Sequence, residues 1–418
     1  SISLAAATAL AGPQSGQNAA VPGSEEEAHF RQVLGEAGSS ARETIRELAE
    51  HLRRYPDSGR RPTIVRTIVK AAIEAGDNAA LLRYGEEALE YEPGNPLYME
   101  RLTRALLASE DEASSKKALR MAKEYEAALN KFELQMPDGR RQRAQLRFHL
   151  DEGLGKARVY QARALGNLGR FEEAAAMAKR AYETVPTAEA AREAGRWLER
   201  LERYEEAILR YAEAFAIDEP ENTASRRARA REKLRDLYSK DRDSEAGLGD
   251  LVLAAYDRAA ARLDERHAAL RRIDPNFGAD DPMAFTLTGL DGDQLEMKSL
   301  LGKVVVLDFW ATWCGPCRIQ HPLYDKVEQR FRSRDDVVFL YVNTDKEREV
   351  VRPFLEQNGW HKRVYFEDGL QSLLEVSSIP TTIILDKQGE IASRMNGFVP
   401  ERFVEMLSER IEVALAND

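Results

Sequence analysis

Cys314 and Cys317 are the only cysteines among 418 residues, and they stand two residues apart in DFWATWCGPC, residues 308–317. A pair so spaced is either one redox dithiol or half of a metal site. Structural zinc needs four ligands, and no second cysteine pair exists to complete the set. Haem attachment would want histidine directly after the second cysteine, where Arg318 stands. VVVLDF (304–309) is a continuous apolar run, as expected of a strand buried on both faces, and a helical pattern covers about 315–332. Gly315 and Pro316 let the chain turn and start that helix. Cys314 is therefore expected at a helix N-terminus, where unpaired N–H groups and the dipole favour a thiolate. Cys317, one turn later on the same face, can attack a mixed disulfide and release the substrate. The chemistry to which this pattern points is thiol–disulfide exchange.

Three neighbours stand out by type. Asp308 interrupts a wholly apolar strand, a costly place for a carboxylate unless it has a use; a tolerated polar residue at a strand edge is the plain alternative. His321 lies one helical turn after Cys317 and either tunes the pair or is a partly exposed histidine without a role. Trp313, beside Cys314, reads equally as a substrate-facing wall or as core.

The elements around the pair predict an α/β sheet. AFTLTGLDGDQLEM alternates around Asp291-Gly292, a hairpin signal. VVFLYVN (337–343), TTIILD (381–386) and EIASRM read as strands, EVVRPFLEQ as helix, and PERFVEMLSERIEVAL as a closing helix with Pro400 in its first turn. Strands alternating with helices imply crossovers.

DFWATWCGPC resembles the active site of the thioredoxin fold, and the likeness extends over about residues 283–418. Ile379-Pro380-Thr381 resembles the family's cis-proline loop, which faces the cysteines and lays out the bound peptide backbone. Asp308 matches the buried carboxylate that assists proton transfer at the second cysteine. Pro322 matches the helix-kinking proline, while Gly389 and Gly397 match glycines near the last strands. The hairpin before VVVLDF, with the helix and strand between Asp345 and Leu374, is similar to the TlpA/ResA branch, the redoxin oxidoreductases of bacterial cell envelopes. The resemblance implies catalysis by Cys314, Cys317 and Asp308, and substrate contacts at Trp313, Ile379, Pro380, Thr381 and Gly397. It implies no cofactor beyond a Cys314–Cys317 disulfide. Two positions depart from it. Gln320 stands where cytochrome-maturation members carry glutamate, and Tyr341 where thioredoxin itself has the lysine that partners the carboxylate. The carboxylate role then falls to Asp308 alone.

The sequence before this domain is of another kind. Residues 25–272 are amphipathic and helical, rich in Ala, Leu, Glu and Arg. They also repeat: Phe171 and Tyr204, Ala174 and Ala207, and Ala181 and Ala214 are each 33 apart. Gly169 precedes Pro186 by 17 residues, as Gly76 precedes Pro93. This periodicity resembles the tetratricopeptide repeat, a two-helix unit that presents a concave surface to peptides or proteins. It is clearest at 155–221, and Glu202 stands where the first block has Gly169. An irregular helical solenoid is the alternative. The expected organisation is a disordered arm (1–24), a helical repeat domain (25–272), a linker (273–282) with two prolines, and a thioredoxin-like redox domain (283–418).

A net charge of −10 argues against general binding to nucleic acid or anionic membrane. SRRARAREKLR (225–235) is a local exception, read as a solvated helix face or as a dock for an acidic partner. No apolar run is long enough to span a membrane. Residues 1–11, with Ala9-Leu10-Ala11, look like the tail of an export signal or a flexible arm, and the former goes with a bacterial periplasm. The expected function is a thiol–disulfide oxidoreductase acting on protein disulfides, served by an upstream dithiol donor or acceptor, with the repeats recruiting or orienting partner proteins. Two alternatives stand beside it: a scaffold in which the repeats dominate, and a peroxiredoxin-like peroxidase, which would want threonine where Ala311 lies.

Overall fold

The computed structural model describes residues 25–36, 40–137, 139–242 and 244–416; the arm expected at 1–24 lies outside them. Two compact units form. One takes residues up to Met136 together with Leu146–Arg266, the other Pro137–Gln145 together with His267 onward.

The first unit is helical throughout. Its helices begin with α1 (Glu25–Glu36), α2 (Ala41–Arg54), α3 (Arg61–Ala75), α4 (Asn78–Tyr91), α5 (Pro96–Leu107) and α6 (Glu112–Glu133). They continue with α7 (Arg140–Asn167), which belongs to this unit from Leu146 on, α8 (Phe171–Thr184), α9 (Ala188–Arg200), α10 (Tyr204–Ala216), α11 (Ala224–Arg242) and α12 (Leu248–Ile273), which belongs to it as far as Arg266. Short polar caps start several of them: Asp77 accepts from the Ala80 N–H at 3.0 Å, Asp111 from Ser114 at 2.9 Å, and Thr187 from Ala190 at 3.2 Å. Successive helices pack on one another, and small Ala178, Ala181, Ala194, Ala207 and Ala214 are fully buried where they meet. The 33-residue spacing in the sequence thus marks the buried contact of each helix pair.

The same turn recurs between paired helices. Gly76 and Gly169 take left-handed φ values of 66° and 75°, and the next N–H reaches back to Ala72 and Leu165 respectively. Glu202 occupies the equivalent turn with φ 60°, Arg203 donating to the Leu198 carbonyl at 3.0 Å. A side chain in that conformation costs about 1–2 kcal/mol, and Glu202 is exposed. Glu202→Gly should therefore raise the Tm of the helical unit by about 2–8 °C in a circular-dichroism melt. An unchanged or lower Tm would show that the turn is unstrained.

The second unit is built on a five-stranded sheet. A hairpin, β1 (Thr286–Thr288) and β2 (Gln294–Glu296), precedes it. The sheet holds β3 (Val304–Trp310), β4 (Val337–Asn343), β5 (Val364–Phe366), β6 (Thr381–Leu385) and β7 (Ile391–Asn396), in the order β5-β4-β3-β6-β7. β3, β4 and β5 are parallel, β6 runs antiparallel to β3, and β7 runs antiparallel to β6. Helices α13 (Gly315–Phe331), α14 (Val351–Asn358), α15 (Leu370–Leu373) and α16 (Phe403–Ala416) complete it. The last begins at Phe403, so Pro400 precedes the helix instead of sitting in its first turn.

Central β3 is buried along its whole length, which is why its sequence does not alternate. Val305, Leu307 and Phe309 join one apolar layer; Val304, Val306 and Trp310 join the other, with Cys314, Cys317, Tyr324 and Phe403. The unit is also tied together through Asn276. Its amide accepts from the Thr286 N–H at 2.7 Å and donates to the Asp368 carbonyl at 3.1 Å. The Asp368 carboxylate in turn holds Arg348 at 2.5 Å and Arg140 at 3.4 Å.

Candidate functional site

β3 delivers Asp308 and Trp310 to one end of the sheet, and the chain then turns sharply into α13. A fixed network holds that turn. Asp345 accepts from the Thr312 N–H and hydroxyl, each at 2.8 Å, and from the Asn343 amide at 2.8 Å. Arg318 reaches back to the Thr312 carbonyl at 2.8 Å. Cys314 is the N-cap of α13 and its sulfur accepts from the Cys317 N–H at 3.2 Å. The two sulfurs form a disulfide of 2.02 Å, so the pair is oxidised, and both cysteines are almost buried. A helix N-terminus directed at sulfur is the arrangement that favours a thiolate once the bond opens.

Trp313 is 70% exposed, which excludes the core reading and leaves its ring on the surface beside Cys314. The Ile379–Pro380 peptide is cis. Pairing of Phe309 with Thr381 brings this loop to the end of β3 from which the cysteines issue. The Pro380 carbonyl accepts from the Gly397 N–H at 2.8 Å, the Thr381 hydroxyl donates to Ser378 at 2.7 Å, and Gly397 has φ 68°. Ile379 packs on the apolar cluster that includes both cysteines. The residues predicted from sequence therefore converge from three separate segments.

Asp308 lies on the cysteine face of β3, between Tyr341 of β4 and Thr382 of β6 in the strand register. Burial pushes its carboxyl up to about 7, opposed by the Tyr324 hydroxyl and the charge of Lys362. One carboxylate oxygen has no hydrogen-bond partner among the described residues, and the Tyr324 hydroxyl meets Thr382 at 2.6 Å. Such a group titrates near neutrality, where a proton acceptor is most useful.

The departures take definite forms. Gln320 is buried with neither amide atom partnered, and it carries no charge to the pair. His321 is not the partly exposed histidine of the plain reading: it is buried against Trp360, rings stacked at 3.5 Å, and burial lowers its pKa to about 4. It stays neutral at pH 7 and adds no cation beside the thiols. At Tyr341 the hydroxyl donates to Glu328 at 2.6 Å, while the Lys362 ammonium sits 4.8 Å from the ring centre. Lys362 is nearly buried and also pairs with Asp325 at 2.6 Å. Asp308 is thus not alone. A lysine reaches its surroundings from the segment before β5, although the equivalent strand position holds tyrosine. Its place depends on the β5-β4-β3 register, which nothing local in GWHKRVYF announces.

Among the described residues no three His, Cys, Asp or Glu side chains cluster to hold a metal ion. No described helix is long and apolar enough to cross a membrane.

Residues 302–391 match a family model described as thioredoxin-like. The thiol-disulfide oxidoreductase ResA of Halalkalibacterium halodurans is 30% identical over 147 residues, which are 33% of this chain and 83% of that protein. ResA of Bacillus subtilis is 30% identical over 129 residues, 30% of this chain and 71% of its own. The thioredoxin-like protein YneN of Bacillus subtilis is 31% identical over 123 residues, 29% of this chain and 72% of its own.

Proposed function

Because the chain belongs, through its C-terminal third, to the thioredoxin-like thiol-disulfide oxidoreductases of the ResA type, we propose that exchange runs through Cys314 and Cys317 on protein substrates. The observation that carries this reading is the cysteine pair capping α13 above a buried carboxylate that titrates near 7. In the reducing direction the Cys314 thiolate attacks a substrate disulfide, forming a mixed disulfide and expelling one substrate thiolate. Cys317 gives its proton to the Asp308 carboxylate and attacks the Cys314 sulfur, expelling the second thiolate. The substrate gains two electrons and the Cys314–Cys317 disulfide is formed. An upstream dithiol protein resets it, and no other cofactor takes part. Reversal of every step gives the oxidising direction.

Trp313, Ile379, Pro380, Thr381 and Gly397 form the surface on which the substrate backbone lies. The helical unit, read as tetratricopeptide-like repeats, recruits or orients partner proteins. On the family resemblance the reaction belongs outside the cytoplasm, in a bacterial periplasm.

The test is alkylation of the reduced chain beside an insulin-reduction assay. Limiting iodoacetamide at pH 7 should label Cys314 first and abolish insulin reduction in step with the label. First labelling of Cys317, or activity that survives full Cys314 labelling, would overturn the assignment.

A further inference from the structure

Two histidines face each other in the helical unit. His29 of α1 and His51 of α2 approach Nδ1 to Nδ1 at 2.9 Å, a hydrogen bond that one ring donates and the other accepts. His51 is fully buried and His29 half-buried. Tyr55 closes on both rings, its centroid 5.1 Å from that of His51 and 5.5 Å from that of His29, and Phe30 stands edge-on to His51 at 5.3 Å. One turn further along α1, Val33 enters an apolar cluster with Ile45, Leu48, Leu52 and Ile64. The histidine pair is thus part of the seam by which α1 lies on α2.

Charged groups reach the pair from every element packed against it. From α1, Glu26 lies 3.8 Å from the His51 Nε2 and accepts from the Ser58 hydroxyl, while Glu27 holds Arg60, and Arg31 at 3.1 Å. From α2, Glu50 faces His29 and is held by Arg53 at 2.6 Å, and Arg54 lies over the Tyr55 ring at 5.5 Å. From the connection to α3, Arg60 covers the Phe30 ring at 4.8 Å. α3 itself opens with Arg61, which is paired with Glu87 of α4 at 2.6 Å. Burial first, and the charge of His29 second, lower the His51 pKa; Arg60 adds to this and Glu26 opposes it. The His51 Nε2 has no hydrogen-bond partner among the described residues.

The docked pair accepts one extra proton but not two. With one ring charged, its Nδ1–H still points at the lone pair of the other. With both charged, two N–H groups meet head-on at 2.9 Å and two cations share a site closed to water. Once parted, each imidazole carries its own proton and water solvates it. We infer that α1 is an acid-released strap, lying on α2 at neutral pH and lifting away as a second proton enters the His29–His51 pair, which takes Val33 out of its apolar cluster. The docked state holds one proton fewer than the released state. Docking is therefore complete above the ordinary histidine value of 6.5 and weakens as pH falls below it. One proton of difference amounts to about tenfold per pH unit, or about thirtyfold by pH 5.

The experiment is hydrogen exchange read by mass spectrometry on the full chain, at pH 7.5 and pH 5, with intrinsic exchange rates corrected. The α1 peptide should open about thirtyfold more readily at pH 5, while α3 and α4 keep their protection. The lower pH stays above the range in which carboxylates usually protonate. His51→Phe keeps a ring at the site and removes its proton; it should protect α1 at pH 7.5 as wild type does and lose the acid opening. His149→Gln, at an exposed histidine of α7, should open as wild type does. Nitrogen-15 NMR of the histidine-labelled wild-type chain gives a measurement free of substitutions. It should show the hydrogen-bonded Nδ1 pair at pH 7.5, and the second ring should take its proton in step with the opening of α1. Equal α1 protection at the two pH values, acid opening that survives in His51→Phe, or two imidazolium rings in a chain whose α1 stays protected would overturn the inference.

Discussion

A Cys317→Ala chain should lose multiple turnover in insulin reduction and accumulate partner proteins joined to Cys314 by a disulfide. The mixed disulfide normally lasts only until Cys317 attacks it. Cys317 is held one turn along α13 with its N–H on the Cys314 sulfur at 3.2 Å, so the resolving step needs almost no rearrangement. Without that sulfur the first exchange still takes place and the second cannot. Bands that vanish with reductant on non-reducing gels are the expected readout, and mass spectrometry should find the bond at Cys314. Multiple turnover by the variant, or no adduct that reductant releases, would contradict the division of labour.

The amino-acid pattern exposed much of this site, for physical reasons that differ from residue to residue. The strand–cysteine–helix order was visible because a doubly buried strand writes itself as VVVLDF and a helix start as Gly-Pro. Asp308 was visible because a carboxylate in such a strand has no cheap explanation. The pairing of Phe309 with Thr381 was not local, and the cis-proline loop was reached only by resemblance. Lys362 escaped altogether. Resemblance directed attention to the strand position of Tyr341, whereas the ammonium arrives over the tyrosine ring from a neighbouring segment, a substitution in space that leaves no mark in sequence. His321 was misjudged for the opposite reason. Its helical spacing suggested partial exposure, but Trp360, almost 40 residues away, folds over its ring. In the helical unit, Glu202 broke the glycine pattern while keeping the left-handed turn that glycine usually provides.

Asp308→Asn should make the chain more stable and slower, with both effects governed by pH. The carboxyl has a pKa of about 7 in the folded chain against an ordinary 3.8, so the folded state holds a proton that the unfolded state has released. Wild-type stability from this group is therefore full below about pH 4 and declines as pH rises to about 7. The difference between the two values corresponds to about 4 kcal/mol. Denaturant titrations should give equal stabilities for variant and wild type at pH 4 and a gap of that order, favouring the variant, at pH 8. Catalysis runs the other way. Only ionised Asp308 accepts the Cys317 proton, so wild-type exchange should rise through about pH 7, and the variant should lose that limb and run about 10²-fold slower above it. Lys362 supplies the second arm of the test. Its charge lowers the Asp308 pKa, so Lys362→Met should push the activity limb to higher pH while leaving the limb itself in place. That outcome separates an electrostatic role from simple loss of packing, which would lower stability at every pH without moving the limb. An Asp308→Asn chain that keeps the wild-type profile from pH 6 to 9 would remove Asp308 from the proton path. A limb unmoved in the Lys362→Met chain would remove Lys362 from its control.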